Sequence, residues 1–153
     1  MQSLFACKHA IGVGNGSDAL TFILRYLELS PNDEVICPAN SFIATAWAVV
    51  AAGAKPIFCD VGDDLLMDID DFSSRISSNT KAVIPVHLTG RVFDLDSIRD
   101  ICLANNIVII EDAAQSFGAQ HKDSRYTGTL GFGAAFSLHP LKNLSCYGDG
   151  GLV

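Results

Sequence analysis

Segments that read as strands and segments that read as helices alternate along almost all of this 153-residue chain. That alternation is the mark of a parallel sheet whose strands are joined by crossover helices. "HAIGVG" runs into "SDALTFILRYLEL", where Leu20, Ile23, Leu24 and Leu27 recur on one face at helical spacing. "EVICP" leads to a helix in "ATAWAVVAAG", which Gly53 is placed to end. "KPIFCDV" precedes a short helix from Asp70, "KAVIPVH" precedes "DLDSIRDICLANN", and "IVIIED" precedes a helix over "AAQSFGA". A last strand-like pair, "AAFSL" and "GGLV", flanks the loop "HPLKN". The expected fold is α/β, a three-layer sandwich around a mostly parallel sheet. With 49% hydrophobic and 18% charged residues, the chain has the apolar content to cover such a sheet on both faces. No repeat, low-complexity tract or linker breaks the pattern, so residues 1–153 read as one domain. Its first strand begins close to Met1 and its last ends at Val153 without a covering helix, so the chain is expected to stop inside a fold.

Several function classes drop out at this level. A net charge of -7 with no basic cluster disfavours nucleic acid or an acidic membrane surface as partner. Five cysteines, odd in number and without a C-x-x-C pair, give neither a disulfide framework nor a zinc site, and read as reduced, mostly buried thiols. The N-terminus lacks the pattern of a secretion signal and no apolar run reaches membrane-spanning length, so the expected location is cytoplasmic.

The stretch "IGVGNGSD" at 11–18 places glycines at 12, 14 and 16 ahead of a helix. Such a turn lets backbone approach a ligand closely, and the first N–H groups of the helix attract an anion. It is not a Walker loop, which needs Gly-Lys-Ser/Thr, nor a dinucleotide turn, which needs glycine where Ser17 stands. The nicotinamide reading also needs an acidic residue at the end of the second strand, and that strand ends in Cys37-Pro38.

Ligands of open parallel sheets lie beyond the carboxyl ends of the strands. This sequence puts the glycine turn and Ser17, Asn40 to Phe42, His87, Asp112 with Gln115, Ser137 and Lys142 at those ends. A phosphate cradle, an aromatic plate, a carboxylate and an amine are the parts needed to hold pyridoxal 5'-phosphate and bind it covalently. Lysine forms the Schiff base, and the carboxylate faces the pyridine nitrogen and makes the ring an electron sink. Each residue also has a plainer use. Asp112 can cap a helix over "AAQSFG", Phe42 can belong to a core, and Lys142 can be a solvated loop lysine. The apolar neighbours Pro140, Leu141 and Leu144 favour a partly desolvated, nucleophilic Lys142. His87 reads as a hydrogen-bonded strand-end histidine and is left out of the site.

"GNGSDAL", "DEVICPANSFIATAWAVVAAGAKPIFCDV", "AVIPVHLTGRVFDLDSI", "EDAAQSFGA" and "FSLHPLKNLSCYGDGG" resemble successive blocks of the DegT/DnrJ/StrS-type aminotransferases. These are pyridoxal-phosphate enzymes of the aspartate aminotransferase fold group (fold type I) that act on nucleotide-linked keto sugars. The most specific block is Ser-x-x-Pro-x-Lys-Asn leading into Gly-Asp-Gly-Gly. The resemblance implies that Lys142 carries the cofactor and shuttles the proton, that Asp112 binds the pyridine nitrogen and Gln115 the phenolic oxygen, and that Phe42 stacks on the ring. Ser17, the backbone at Asp18, and Ser137 would hold the phosphate. It implies transamination of a keto sugar nucleotide with glutamate as donor. The alternatives are dehydration or elimination on the same cofactor, or a regulatory module keeping the fold. Lysine at 142 favours transamination, because a related dehydratase branch carries histidine there. His139 and Leu141 depart from the aromatic and threonine of many relatives. Family members are more than twice as long and form homodimers that share residues across the site. The chain is therefore expected to be an incomplete large domain lacking an N-terminal arm and a C-terminal small domain, and to be a poor enzyme alone.

Overall fold

The computed structural model describes residues 1–153. After a short helix α1 (Gln2–Phe5), the chain runs β1 (Gly12–Val13), α2 (Gly16–Tyr26), β2 (Glu34–Pro38), α3 (Ala44–Ala51), β3 (Lys55–Cys59) and α4 (Ile69–Ser74). It continues through β4 (Thr80–Val83), a 3-10 turn (Leu88–Gly90), α5 (Asp96–Ala104), β5 (Val108–Asp112), β6 (Gly133–Ser137) and β7 (Gly151–Leu152). The strands form one seven-stranded sheet in the order β1-β7-β6-β5-β4-β2-β3. Neighbours from β3 to β6 are parallel, whereas β7 pairs antiparallel with both β6 and β1.

Alternation along the strands sorts the core into layers. Val35 and Cys37 of β2, Ala82 of β4, Ile110 of β5 and Ala135 of β6 pack with Leu20, Ile23 and Leu24 of α2 and Val49 of α3. The intervening residues Ile36, Val83 and Ile109 face the other way, against Phe72 of α4 and Ile98 and Cys102 of α5. The sheet is thus covered on both faces, as expected of a three-layer α/β sandwich. The chain steps outward from β2 to β3 and then returns to the other side of β2 as β4, and that reversal opens a crevice above the carboxyl ends of the strands.

Three local expectations change. "AAQSFG" is not a helix: residues 113–119 form successive turns, with Ser116 N–H donating to Ala113 O and Ala119 N–H to Ser116 O. Ala113 N–H stays in the sheet ladder with Ala135 O, and Ser116 is buried and bonded to Thr127, so non-local bonds outweigh helix formation there. The strand in "HAIGVG" is only Gly12–Val13, preceded by α1, so the sheet does not begin near Met1. Helix α2 opens at Gly16 with Asn15 as its cap, one residue before Ser17. Gly53 does end α3, taking a φ of 89° just after it. Cys37, Cys59 and Cys102 are buried and Cys7 and Cys146 half-buried, all as free thiols. Burial pushes the Cys37 and Cys59 thiols up to about 12, which leaves them unreactive. No helix is long and apolar enough to cross a membrane.

Candidate active site

A cavity of about 680 Å³ lies over the carboxyl ends of the strands, and Ser17, Asp18, Phe42, Asp112, Gln115, Ser137 and Lys142 all line it. One wall is the start of α2. The Asn15 side chain accepts the Asp18 N–H at 2.7 Å, and the Asn15 carbonyl accepts the Ala19 N–H. Of the N–H groups that a helix leaves without internal partners, those of Gly16 and Ser17 remain to point out of the helix end. They are joined there by the hydroxyls of Ser17 and of Ser137 at the end of β6. In this structure the Asp18 N–H is therefore committed to its cap. Two glycines permit the arrangement. A Cβ on Gly16 would lie 2.9 Å from Ser137 Cβ, and one on Gly151 would overlap the carbonyl of Asn15. The Gly-Asp-Gly-Gly segment thus packs directly under the anion-binding turn.

Asp112 ends β5, buried to 6% exposure. With no helix over residues 113–119, its cap role disappears. Its Oδ2 accepts the Thr45 hydroxyl at 2.8 Å and its Oδ1 accepts the Ala114 N–H at 3.2 Å. Burial raises the Asp112 carboxyl above its ordinary value, against the opposing pull of Thr45, Ala114, His87 and Lys142. A buried carboxylate with two neutral donors and lone pairs to spare suits a cationic partner, because opposite charge offsets the cost of desolvation.

The remaining lining residues present free groups. Phe42 is 68% exposed and stacks on no other aromatic ring, so it is a cavity wall and not a core residue. Gln115 Oε1 accepts the Thr89 N–H at 3.0 Å, which leaves its NH2 to donate. Lys142 is half-buried, its backbone N–H bonds His139 O, and its Nζ enters no ion pair. Of the apolar neighbours expected to desolvate it, Pro140 and Leu141 are exposed and Leu144 is half-buried. Pyridoxal 5'-phosphate fits this donor set: free helix-end N–H groups for a phosphate, a buried carboxylate for a pyridinium, an open aromatic face and an unpaired amine.

His87 is absent from the cavity wall. Wholly buried, it accepts the Phe93 N–H on Nδ1 and donates from Nε2 to Glu111 at 3.1 Å. Sequence reasoning missed Glu111, whose carboxylate also accepts the N–H groups of Gly128, Leu130 and Gly131. Burial works to raise its carboxyl, but His87 and these donors prevail and hold it below the ordinary value. It also missed Asn15, Thr45 and Trp47. The cap of Asn15 has a local signal in Asn followed three residues later by Asp, whereas Thr45 has none, because its partner lies 67 residues away.

Comparison with known proteins agrees with this reading of the fold. The profile of the DegT/DnrJ/EryC1/StrS aminotransferase family matches residues 1–153. A "pleiotropic regulatory protein" of Geobacillus stearothermophilus is 45% identical over 95% of this chain and 39% of its own length. A UDP-N-acetyl-3-dehydro-alpha-D-glucosamine 3-aminotransferase of Acidithiobacillus ferrooxidans is 44% identical over all of this chain and 42% of its own. The solved structure of DesV from S. venezuelae, in complex with a ketimine intermediate, superposes with a TM-score of 0.93 at 40% identity, covering 99% of this chain and 41% of that one. Other structures of the same fold have been solved in PLP and PMP forms. The chain thus spans about two-fifths of the length of these relatives. It belongs to the DegT/DnrJ/EryC1/StrS aminotransferase family.

Proposed function

We propose that this chain holds pyridoxal 5'-phosphate and carries the reacting groups that move an amino group from glutamate to a nucleotide-linked keto sugar. The observation that carries the reading is the single cavity shared by the unpaired Lys142 amine, the buried Asp112 carboxylate and the free N-terminal donors of α2. Relatives named as 3-aminotransferases or for 3-oxo sugars support a ketone at carbon 3 of the sugar. When bound, the cofactor supplies an electron sink for the carbon that bears the nitrogen.

The chain's own residues do the rest. The N–H groups of Gly16 and Ser17, with the Ser17 and Ser137 hydroxyls, bind the phosphate at the positive end of α2. Phe42 offers its free face to the ring, and the Gln115 NH2 donates to the phenolic oxygen. Asp112 keeps the proton on the pyridine nitrogen, because a buried carboxylate favours a cationic neighbour. Lys142 Nζ is the group that would hold the cofactor covalently, and as a free amine it would carry a proton between the two carbons joined through the transferred nitrogen. In the same reading, residues 1–153 form the cofactor-binding part of a large domain that an N-terminal arm and a small domain would complete. The enzyme is a cytoplasmic homodimer. The apolar stripe of Ile43, Trp47 and Val50, exposed along α3, supports the dimer.

A regulatory role is the second reading, favoured by the name of the Geobacillus relative. The test is to add pyridoxal phosphate to the purified full-length protein, arm and small domain included, reduce with borohydride, map the label, and assay amino transfer from glutamate to a panel of 3-keto sugar nucleotides. Label on the Lys142 peptide with turnover is expected. Label on Lys55, Lys81 or Lys122 overturns the role of Lys142, and label on Lys142 without any turnover supports regulation.

A further inference from the structure

Asp112 is held from behind by two hydroxyls in series. Thr45 sits in the first turn of α3, 1% exposed, with its Oγ1 2.8 Å from Asp112 Oδ2 and 2.7 Å from Ser41 Oγ. The direction of this chain follows from proton counting. An ionised carboxylate only accepts, so the one Thr45 proton goes to Asp112, and Thr45 must accept the proton of Ser41. The competing bond from Ser41 to the Phe42 carbonyl is longer, at 3.4 Å. Hydrogen bonds in series polarise one another, so the Ser41 link strengthens the Thr45 donor. Ser41 lines the cavity and Thr45 does not.

We propose that Thr45, reinforced by Ser41, is a positioning residue: it fixes Asp112 as an oriented carboxylate whose remaining lone pairs face the cavity. The inference rests on the reading of Asp112 as the partner of the pyridine nitrogen. Ala114 N–H, at 3.2 Å, is the only other protein donor to the Asp112 carboxylate, and it falls on the other oxygen. Without Thr45, one oxygen of a nearly buried carboxylate would lose its only protein donor, and the neutral acid would be favoured. The acid form carries a proton of its own and cannot hold one on a ring nitrogen. The titratable groups that act on Asp112 or feel it are His87 on the segment after β4, Cys37 on β2 and Lys142 across the cavity.

The test uses the full-length protein and compares the parent with Thr45→Val, Thr45→Ser and Asp112→Asn. Valine keeps the volume and removes the hydroxyl, and serine restores it. In cofactor-free protein labelled with carboxyl 13C aspartate, the resonance missing from Asp112→Asn identifies Asp112. Its titration midpoint should rise in Thr45→Val and return to the parent value in Thr45→Ser. In the protein with pyridoxal phosphate, Thr45→Val should lower kcat about tenfold or more, the loss expected for one hydrogen bond to a charged group, with KM for the sugar little changed. The acid limb of its pH profile should move to higher pH. An unchanged midpoint and acid limb in Thr45→Val overturn the proposal. Full activity in Asp112→Asn overturns instead the reading on which it rests, while the 13C midpoints still report whether Thr45 holds the carboxylate. Should Thr45→Val fail to fold, Ser41→Ala at the half-buried end of the relay replaces it: a smaller shift in the same direction supports the proposal and no shift overturns it.

Discussion

Gly16, the first residue of α2, lies so close to Ser137 at the end of β6 that a Cβ on Gly16 would stand 2.9 Å from Ser137 Cβ and 3.3 Å from its Cα. The contact joins two elements 121 positions apart in the chain, one bringing free N–H groups and the other a hydroxyl to the same corner of the cavity. Gly16→Ala should therefore push the helix end away from Ser137. Overpacking of this kind costs roughly 1–3 kcal/mol, and the anion site should open by a few tenths of an ångström. Equilibrium titration is expected to show pyridoxal phosphate binding about tenfold more weakly than to the parent, with a lower Tm by calorimetry. Unchanged affinity would mean that the phosphate is held elsewhere.

In the full-length protein, Asp112→Asn should leave the fold intact and remove most of the turnover, since a neutral amide cannot hold a proton on the pyridine nitrogen. A hydrogen bond to a charged partner is worth about 1.5–3 kcal/mol, so kcat should fall at least tenfold. Steady-state kinetics beside a thermal melt make the comparison. A kcat within about a factor of two of the parent would remove Asp112 from the chemistry.

Glu111 should matter to stability rather than to binding. It accepts three backbone N–H groups and faces His87 from a fully buried position. Glu111→Gln places an NH2 against those donors and should cost at least about 2 kcal/mol in denaturant unfolding. Because the folded protein holds this carboxyl below its ordinary value, the carboxylate's contribution is complete above the unfolded pKa of about 4.3 and is lost as pH falls through the folded value. Acid unfolding of the parent should therefore steepen below about pH 4.3 in a way that Glu111→Gln does not share.

A second linkage runs the opposite way. His121 is buried beside Asp94 at 3.0 Å and Asp123 at 3.1 Å, and Arg99, Lys122 and Arg125 surround these carboxylates and Asp96. Burial disfavours the imidazolium, but the carboxylates outweigh it and raise the His121 pKa. The stabilisation is complete below the unfolded value of about 6.5 and is lost as pH rises through the raised folded value. Tm should decline from about pH 6.5 upward, and His121→Asn should flatten that decline. An equal slope in both proteins would show that folding does not raise the His121 pKa.

The amino-acid sequence by itself determined what local pattern can carry. The spacing of Leu20, Ile23 and Leu24 gave α2 its buried face, and the apolar runs around Ile36, Val83 and Ile110 gave strands covered on both sides. Asp112 and Ser137 close strands β5 and β6, and because parallel strands share one direction, their ends meet at one edge of the sheet. Tertiary structure decided the rest. "AAQSFG" has no helix because Ala113 completes a ladder with Ala135 and Ser116 bonds Thr127, and neither partner is near enough in sequence to be read. Phe42 became a cavity wall instead of a core residue because β2 ends beneath it at the crevice. Thr45 and Glu111 acquired their roles only when folding brought donors from 67 and up to 24 residues away onto buried carboxylates. Local periodicity reports which face of an element avoids water. Which polar atoms must pair inside is settled when distant segments close around them and remove the water that would otherwise satisfy them.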